Sequence, residues 1–311
     1  MPVPLPAGVA IAAACALLFH PSMSLPKWPR LAAILVLASI AVVAPMLVPV
    51  ERPVGRFLSA VFAMMMVFKM IELCRLHAAG LRLTWGQHWR FVANVCSLSW
   101  HATARAQRPP PGKNSRHLLR GLAGVLGAVL AMTAVHSLAL AYWLEHGLIA
   151  VCLMGFVIFE LEVLVAITRL LGGPIIDPND RPWLAVTPAD FWRRYNRIIG
   201  QFLHDNVFRP TDGKHHPVRA TLLAFAASGL MHEYVFWIAI ERSAGLQMLF
   251  FLVQGIGVVL TGRIKPRGAA TVTWRIGTWG FMLLTSVVFF ASFHHMFPIY
   301  VNGLPAWLAG W

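Results

Sequence analysis

Charged residues are scarce in this chain. Asp, Glu, Lys and Arg make up 12% of its 311 residues, whereas hydrophobic residues make up 58%. A soluble globular protein carries roughly 25% charged residues, so this chain has too little polar surface to cover a water-soluble particle of its size. The shortage of charge excludes a sizeable soluble domain and predicts an integral membrane protein.

Cysteine and grouped histidines are scarce as well. The four cysteines lie far apart and form no CxxC pair, which excludes a zinc ribbon and a disulfide framework. His215-His216 and His294-His295 are the adjacent histidines of the sequence, and no HxxxH occurs, so a metal enzyme built on histidine boxes is not expected. A G-x-S-x-G nucleophile elbow is absent too, because Ser228 sits in Ala-Ala-Ser-Gly. We expect no metal and no organic cofactor.

Long apolar runs, by contrast, recur from one end of the chain to the other. A bilayer core about 30 Å thick takes roughly 20 apolar residues of helix. On that basis the sequence predicts eight spans, at about 7–20, 31–50, 57–76, 119–143, 148–171, 218–240, 246–262 and 276–297. The expected fold is all-α, a polytopic transmembrane helical bundle formed by one domain, residues 1–311, with amphipathic cytoplasmic helices around a chamber near mid-membrane.

The net charge of +14 is distributed unevenly among the segments between these spans. Of the 26 Lys and Arg residues, 19 fall in residues 21–30, 72–118, 172–217 and 263–275. The intervening turns and both termini hold few or none. By the positive-inside rule the four basic segments are cytoplasmic. The basic balance therefore indicates topology, and nucleic acid is not expected as a partner.

The first long basic segment, residues 72–118, mixes arginine with tryptophan. The residues concerned are Arg82, Arg90, Arg105, Trp85, Trp89 and Trp100. Arg and Trp near the end of a span are typical of a helix lying in the headgroup layer. Binding of a charged cofactor is the alternative interpretation.

The second long basic segment, residues 172–217, contains a helix start. Thr187 suits the N-cap, Pro188 the first helical position, and Asp190 can return a hydrogen bond as in a capping box. From there four apolar or aromatic residues recur on one face: Phe191, Tyr195, Ile198 and Phe202. The pattern predicts one amphipathic helix at the membrane surface, ending before Pro210.

The sixth predicted span places His232 and Glu233 side by side near mid-membrane. Ionisable groups at that depth are functional candidates, although a structural histidine satisfied by a neighbouring helix is the other interpretation. A zinc-binding H-E-x-x-H is excluded, because its second histidine position is Phe236. What remains is a buried imidazole, which desolvation keeps neutral, the state that a general base needs.

Two motifs together resemble the signature of the membrane-bound O-acyltransferase (MBOAT) family, in its wax synthase-like and sterol or diacylglycerol acyltransferase branches. They are Asp190-Phe-Trp-Arg-Arg-Tyr-Asn196 and Ser228-Gly-Leu-Met-His232-Glu233-Tyr234, with His232 36 residues after Asn196. They lie in residues 187–240, about a sixth of the chain. The resemblance implies transfer of an acyl group from acyl-CoA, the co-substrate, to the hydroxyl of a lipid alcohol in the membrane.

The same resemblance implies roles for single residues. His232 is the expected catalytic base and Asn196 its partner, with Trp192 and Tyr195 as tunnel-lining aromatics. Arginine binds phosphate well, which suits an acyl-CoA donor, although contact with lipid headgroups is an equal alternative for each arginine. The candidate substrate-binding residues are Trp192, Tyr195, Arg193, Arg194, Arg197, Ser228, Glu233 and Asn206. The last of these competes with Asn196 as the partner of His232.

Other interpretations stay open at this point. Glu160, Glu162 and Arg169 predict an intramembrane charge network, which a lipid or solute transporter would also explain. A non-catalytic scaffold, and an acyltransferase that modifies an extracytoplasmic polysaccharide or protein hydroxyl, are further alternatives. Interhelical hydrogen bonds are the simplest explanation for three more polar residues, Gln254, His294 and His295. The oligomeric state does not follow from the sequence.

Overall fold

The computed structural model describes residues 5–101, 111–242 and 245–308, and no β-strand occurs among them. The chain divides into two compact units. Unit 1 comprises Met1–Ala104 and Met231–Ser243, and unit 2 comprises Arg105–Leu230 and Ala244–Trp311. The predicted all-α class is confirmed.

The helices of the described residues are assigned to the two units as follows. In unit 1 they are α1 (Leu5–Ser22), α2 (Lys27–Val43), α3 (Pro53–Ala78) and α4 (Trp85–Ala93). Unit 2 contains α5 (Pro111–Ser137), α6 (Tyr142–Leu170), α7 (Pro188–Arg194), α8 (Arg197–Leu203), α10 (Leu246–Thr261) and α11 (Ala270–Met296). Helix α9 (Pro217–Ile240) begins in unit 2 and ends in unit 1.

Each of the eight predicted spans falls on an apolar helix. Among the described residues, six helices are long and apolar enough to cross a membrane: α2 with the 3₁₀ turn that follows it, α3, α5, α6, α9 and α11. The other two, α1 and α10, are shorter apolar helices. The protein is therefore an integral, multi-pass membrane protein. The part of the chain that the structure describes holds six candidate spans, and the two shorter helices account for the difference from the predicted eight.

One span boundary differs from the prediction. The sequence predicts a span over 119–143, but α5 ends at Ser137 and α6 begins at Tyr142. The turn between them consists of Leu-Ala-Leu-Ala, with Ala139 at a positive φ of 45°. Hydropathy does not mark this turn, because all its residues are apolar.

In unit 1, the first and third helices pack closely through small residues. A Cβ atom at Gly8 of α1 would lie 2.8 Å from Ser59 Oγ and 3.0 Å from the carbonyl oxygen of Ala44. The core behind this contact consists of Ala12, Ala16, Phe19, Ala63, Met66 and Met70. Further along, α3 also buries polar side chains.

Two of those side chains are fully buried ions, Lys69 and Glu72. The Lys69 ammonium donates to the carbonyl oxygens of Phe91 at 2.7 Å, Asn94 at 3.0 Å and Ser97. Glu72 accepts two hydrogen bonds from the Arg75 guanidinium, at 2.7 and 2.9 Å, and one from the backbone N–H of Trp100 at 2.9 Å. Together they tie the segment after α4 to α3.

Helix α4 has the amphipathic character that the Arg and Trp pattern predicts. Thr84 Oγ1 accepts from the N–H of Gln87, whose side chain accepts from the N–H of Thr84, a complete capping box. Trp85 and Trp89 are about half exposed, while His88 on the same helix is fully buried. Such a helix suits the headgroup layer. Arg105, part of the same sequence pattern, lies outside the described residues.

In unit 2, α5 and α6 form a tight antiparallel pair. A Cβ atom at Gly124 would lie 2.2 Å from the ring of Phe159, so only glycine permits this approach. Arg120 of α5 donates to both carboxylate oxygens of Glu162 on α6, each at 2.7 Å. Small residues and a charge pair thus hold the two helices together.

The segment after α11 is tied to the beginning of α6. The Tyr300 hydroxyl lies 2.8 Å from His146 Nδ1, and Glu145 Oε1 accepts from the backbone N–H of Val301 at 2.8 Å. His136 Nε2 lies 2.8 Å from the carbonyl oxygen of Ile299. His294, for which an interhelical bond is predicted, instead accepts from the N–H of Tyr300 at 3.3 Å.

Candidate functional site

The aromatic motif begins as its sequence predicts. Thr187 is the N-cap of α7, with its Oγ1 accepting from the N–H of Asp190 at 3.1 Å, and Pro188 occupies the first helical position. The reciprocal bond differs, because Asp190 Oδ2 accepts from the N–H of Val186 at 3.2 Å rather than from Thr187. Hydrogen bonds from Asp190 to Thr187 and from Val186 to Asp190 therefore hold the start of the motif in place.

The predicted continuous amphipathic helix is wrong, because the helix breaks at Asn196. Helix α7 ends at Arg194, and Asn196 adopts a left-handed conformation with φ 43° and ψ 56°. Asparagine tolerates this region better than most residues do. A new helix, α8, begins at Arg197, and a π-helical turn over His204–Phe208 follows it.

Asn196 is held at this break by hydrogen bonds on two of its groups. Its backbone N–H donates to Asn179 Oδ1 at 3.0 Å, and its side-chain Oδ1 accepts from the N–H of Ile199 at a long 3.4 Å. Within residues 5–101, 111–242 and 245–308, its amide Nδ2 makes no hydrogen bond. The break therefore presents an amide donor, which a continuous helix would have placed differently.

Trp192 is connected to two membrane helices by a chain of side-chain hydrogen bonds. Its indole Nε1–H donates to Gln254 Oε1 of α10 at 2.9 Å. The Gln254 Nε2 donates to Thr285 Oγ1 of α11 at 2.7 Å, and that hydroxyl donates to the carbonyl oxygen of Phe281. The predicted interhelical bond of Gln254 is confirmed, whereas its link to Trp192 has no signal in the sequence.

Aromatic rings surround the indole of Trp192. It meets Phe225 of α9 edge-on, with ring centroids 5.3 Å apart, and Phe251 of α10 lies at 5.9 Å. Tyr195 and Phe191 stack at 5.2 Å. Burial raises the pKa of Tyr195, and the nearby charge of Glu160 raises it further, so the phenol keeps its proton and can donate it in a hydrogen bond.

Arg193, Arg194 and Arg197 differ in whether a carboxylate already pairs with their charge. Asp190 Oδ1 accepts from Arg194 Nε at 2.9 Å and lies 3.4 Å from Arg193 Nη2. Arg197 is exposed, and no carboxylate among the described residues pairs with it. A phosphate would meet Arg197 as an unpaired cation, and it would compete with Asp190 for the other two.

The intramembrane motif lies on α9. Ser228 is buried in unit 2, and one helical turn later His232 and its neighbour Glu233 are half-buried in unit 1. In unit 2 the close packing of α9 on α10 depends on Gly229, where a Cβ atom would lie 3.0 Å from Met248 Cα. The roles proposed for His232, Ser228 and Glu233 stay predictions.

In unit 1, the end of α9 is anchored to other helices at three points. The Tyr234 hydroxyl donates to the carbonyl oxygen of Val42 at 2.8 Å. Phe236 packs on Phe57 with ring centroids 5.5 Å apart. Arg56, whose side chain is 2% exposed, donates to Glu241 at 2.7 Å. These contacts determine the rotation of the helix that carries His232.

Asn206 lies in the π-helical turn, where its Nδ2 donates to the carbonyl oxygen of Phe202 at 3.1 Å. Its role as a competing partner of His232 stays a prediction. The buried carboxylate of Asp205, next to it, accepts from Gln201 Nε2 at 2.8 Å. Sequence reasoning did not single out Asp205, and its burial between an exposed His204 and a half-buried Asn206 has no sequence signal.

The predicted charge network of Glu160, Glu162 and Arg169 is wrong. Glu162 pairs with Arg120 at 2.7 Å, and Arg169 pairs at 2.9 Å with Asp177 in the segment after α6. Glu160 instead lies near Tyr195. Neighbours in sequence on one helix point to different partners, because successive positions are rotated by about 100°. Among the described residues, no three His, Cys, Asp or Glu side chains gather as a metal ion would require.

Comparison with known proteins decides the family. The sequence model of the membrane-bound O-acyltransferase family matches residues 126–294, which is more than half of the chain and includes both motifs. The chain belongs to the membrane-bound O-acyltransferase family. The predicted family resemblance is confirmed, and the MBOAT match includes α6 to α10 and most of α11.

The chain is also similar to several named O-acyltransferases. It is 24% identical to probable long-chain-alcohol O-fatty-acyltransferase 9 of Arabidopsis thaliana over 64% of this chain and 63% of that protein. It is 29% identical to acyl-CoA–sterol O-acyltransferase 1 of the same plant, over 34% and 35%. With the long-chain-alcohol O-fatty-acyltransferase of Simmondsia chinensis it shares 27% identity over 38% and 40%. The chain thus spans less than two thirds of each relative.

Proposed function

We propose that this MBOAT protein transfers a fatty acyl group from acyl-CoA to the hydroxyl of a lipid alcohol, forming an ester of the wax, sterol or glycerolipid type. The observation that carries the proposal is a histidine on an apolar helix, within the motif of a family whose named relatives are long-chain-alcohol and sterol O-acyltransferases. The lipid, the acyl donor and the bilayer are the partners this function requires.

His232 is the proposed general base. Its neutral imidazole accepts the proton of the acceptor hydroxyl while the alcohol oxygen attacks the thioester carbonyl carbon. The C–S bond then breaks, the ester forms, and the imidazolium returns the proton to the thiolate, which leaves as free CoA. The role requires that the imidazole is unprotonated before the reaction, as for any general base.

Asn196 is the proposed second catalytic group. Its free Nδ2 donor suits a hydrogen bond to the carbonyl oxygen of the acyl thioester, where negative charge develops during attack. The alternative is that Asn196 serves the backbone break alone, through its left-handed conformation. These two roles predict different results for glycine and for alanine at this position.

Arg197 is the proposed contact for the phosphates of the donor, supported by Arg193 and Arg194. Guanidinium groups bind phosphate oxygens in paired hydrogen bonds, and Arg197 is the one of the three whose charge has no carboxylate partner among the described residues. In the proposed topology the basic segments, including this one, face the cytoplasm, so the donor arrives from that side.

The test uses the purified protein in detergent with radiolabelled acyl-CoA and three acceptors: a fatty alcohol, a sterol and a diacylglycerol. We expect one labelled ester with the wild type, and a loss of about 10²- to 10⁴-fold in His232→Ala, the usual contribution of a general base. His101→Ala, at an exposed histidine outside the motifs, is the matched control and should retain activity. A folded, fully active His232→Ala protein would overturn the mechanism.

Asn196 is tested by a pair of substitutions that separate chemistry from backbone. Glycine adopts the left-handed conformation without strain but lacks the amide, so Asn196→Gly should fold and lose most activity. Asn196→Ala lacks the amide and strains the break, so it should also lower the melting temperature. Full activity in Asn196→Gly would show that the residue serves only the backbone.

A further inference from the structure

A groove of about 710 Å³ runs along the first two turns of α9, outside both motifs. One of its walls is α9 itself, and Leu252 of α10 lines the other side. Both walls belong to unit 2. None of the residues that we propose for acyl transfer lines this groove, so it requires an explanation of its own.

One end of the groove is lined by basic residues and the other end by apolar residues. At the end where α9 begins it is lined by His215, His216 and Arg219. Further along α9 the lining is entirely apolar: Leu222, Leu223, Ala226 and Leu252. From Arg219 to Ala226 the helix rises about 10 Å, at roughly 1.5 Å per residue, which is about a third of the hydrocarbon thickness of a bilayer.

Two of the basic side chains remain available to a ligand. His215 Nδ1 lies 2.7 Å from Asp212 Oδ1, so this pair satisfies itself. His216 and Arg219 are exposed, and within the parts of the chain that the structure describes no carboxylate pairs with either. Lys214, also exposed, adds a further positive charge at the same end. The charge of the groove is therefore complementary to an anion.

We propose that this groove binds an anionic phospholipid of the surrounding bilayer. The lipid phosphate accepts hydrogen bonds from Arg219 and His216, and the upper part of one acyl chain lies along Leu222 and Ala226. Because α9 is one of the candidate spans, its basic end meets the headgroup layer while the apolar part faces hydrocarbon. Basic pockets between membrane helices are known receptors for anionic headgroups.

The experiment uses the full chain in lipid nanodiscs that contain either phosphatidylglycerol or phosphatidylcholine, each with a photoactivatable group near the carbonyl end of an acyl chain. Cross-linked peptides are identified by mass spectrometry. We expect phosphatidylglycerol to label residues 218–226 and 252 at least about fivefold more than phosphatidylcholine does, since one basic group near anionic lipid contributes about that factor.

Two matched pairs of variants test the two halves of the groove. Arg219→Gln should lower the labelling by phosphatidylglycerol about fivefold, whereas Arg263→Gln, at an exposed arginine beyond α10, should not. Ala226→Trp fills the apolar half and should remove labelling by both lipids. Leu284→Trp, at an exposed position of α11 outside the groove, should leave it unchanged. Size-exclusion profiles confirm that each variant is folded.

Three results would overturn the proposal. Equal labelling by the two lipids would show that charge does not select the occupant. Unchanged labelling in Arg219→Gln would place the phosphate elsewhere. If equimolar long-chain acyl-CoA prevented the labelling, the groove would be an entrance for the donor rather than a phospholipid site. None of these readouts depends on acyl transfer, so the proposal stands or falls separately from the proposed reaction.

Discussion

Unit 1 and unit 2 each bury a long polar side chain completely, and they satisfy it in different ways. In unit 1 this side chain is the cation Lys69, bonded to three backbone carbonyl oxygens around and beyond the end of α4. In unit 2 it is the neutral amide of Gln254, bonded to the side chains of Trp192 and Thr285. In unit 1 a charged side chain holds backbone groups in place. In unit 2 an amide side chain holds other side chains in place.

The difference follows from what each group can bond. An ammonium only donates, so it fits the carbonyl-rich C-terminal end of a helix, where the helix dipole also favours positive charge. An amide both donates and accepts, so it can join two side chains in a chain. We infer that the bonds of Lys69 mainly maintain the fold of unit 1, whereas those of Gln254 mainly maintain the position of a proposed site residue.

The largest effect should come from removing the buried charge. Lys69→Met leaves three carbonyl oxygens without their donor, and we expect a loss of about 3–5 kcal/mol in stability, or about 10 °C in melting temperature. Lys27→Met, at an exposed lysine at the start of α2, is the control and should change the melting temperature little. Thermal unfolding in detergent measures both. A melting temperature unchanged in Lys69→Met would contradict the comparison.

A smaller stability effect, but a clear activity effect, should come from Gln254→Leu. Without its acceptor the indole of Trp192 is free to shift, and we expect acyl transfer to fall about tenfold, the equivalent of about 1.4 kcal/mol, with a loss of only a few degrees in melting temperature. Gln254→Glu retains an acceptor oxygen and should restore part of the activity. Thr285 is the next residue in this series of hydrogen bonds, so Thr285→Val should also lower acyl transfer, but by a smaller factor.

Gln247→Leu is the matched control for Gln254→Leu. It removes another buried amide of α10, one that donates to the carbonyl oxygen of Phe289 and to Ser292 Oγ at 3.0 Å each, away from Trp192. We expect Gln247→Leu to lose a similar amount of stability without the tenfold fall in acyl transfer. Equal loss of activity in both variants would mean that Gln254 acts through general stability alone.

The smallest effect is a dependence of the melting temperature on pH, which should arise from a histidine of unit 1. Burial lowers the pKa of His88 from 6.5 to about 4, and the charge of His20 adds to this. Its Nε2 is 3.0 Å from the carbonyl oxygen of Ala16, while Nδ1 is buried without a partner among the described residues. A proton added there would have no acceptor.

Because the unfolded chain binds this proton more readily, the contribution of neutral His88 is fully present above about pH 6.5 and declines as the pH falls toward 4. We expect the melting temperature to fall by a few degrees between pH 7 and pH 5. His88→Gln should flatten that dependence, and His101→Gln, at an exposed histidine, should not. An identical pH dependence in wild type and His88→Gln would exclude His88 as its source.

The start of the aromatic motif could be predicted from the sequence. The helix cap at Thr187 and Pro188 is a local pattern, and the structure has it as predicted apart from one hydrogen bond. The break at Asn196 could not be predicted, because Phe191, Tyr195, Ile198 and Phe202 retain helical spacing across it. The hydrogen bond that the Asn196 N–H donates to Asn179 Oδ1, 17 residues earlier, helps to hold the left-handed residue in place.

The sequence by itself determined the fold class, the positions of the apolar helices and the family, because hydropathy, charge alternation and motif spacing are properties of short stretches of chain. Only the tertiary structure decided where the buried polar groups find their partners. Lys69 reaches carbonyl oxygens 22 to 28 residues away, and Gln254 reaches Trp192 at a separation of 62. Such pairs depend on how helices are rotated against each other, and a difference of one residue turns a side chain by about 100°.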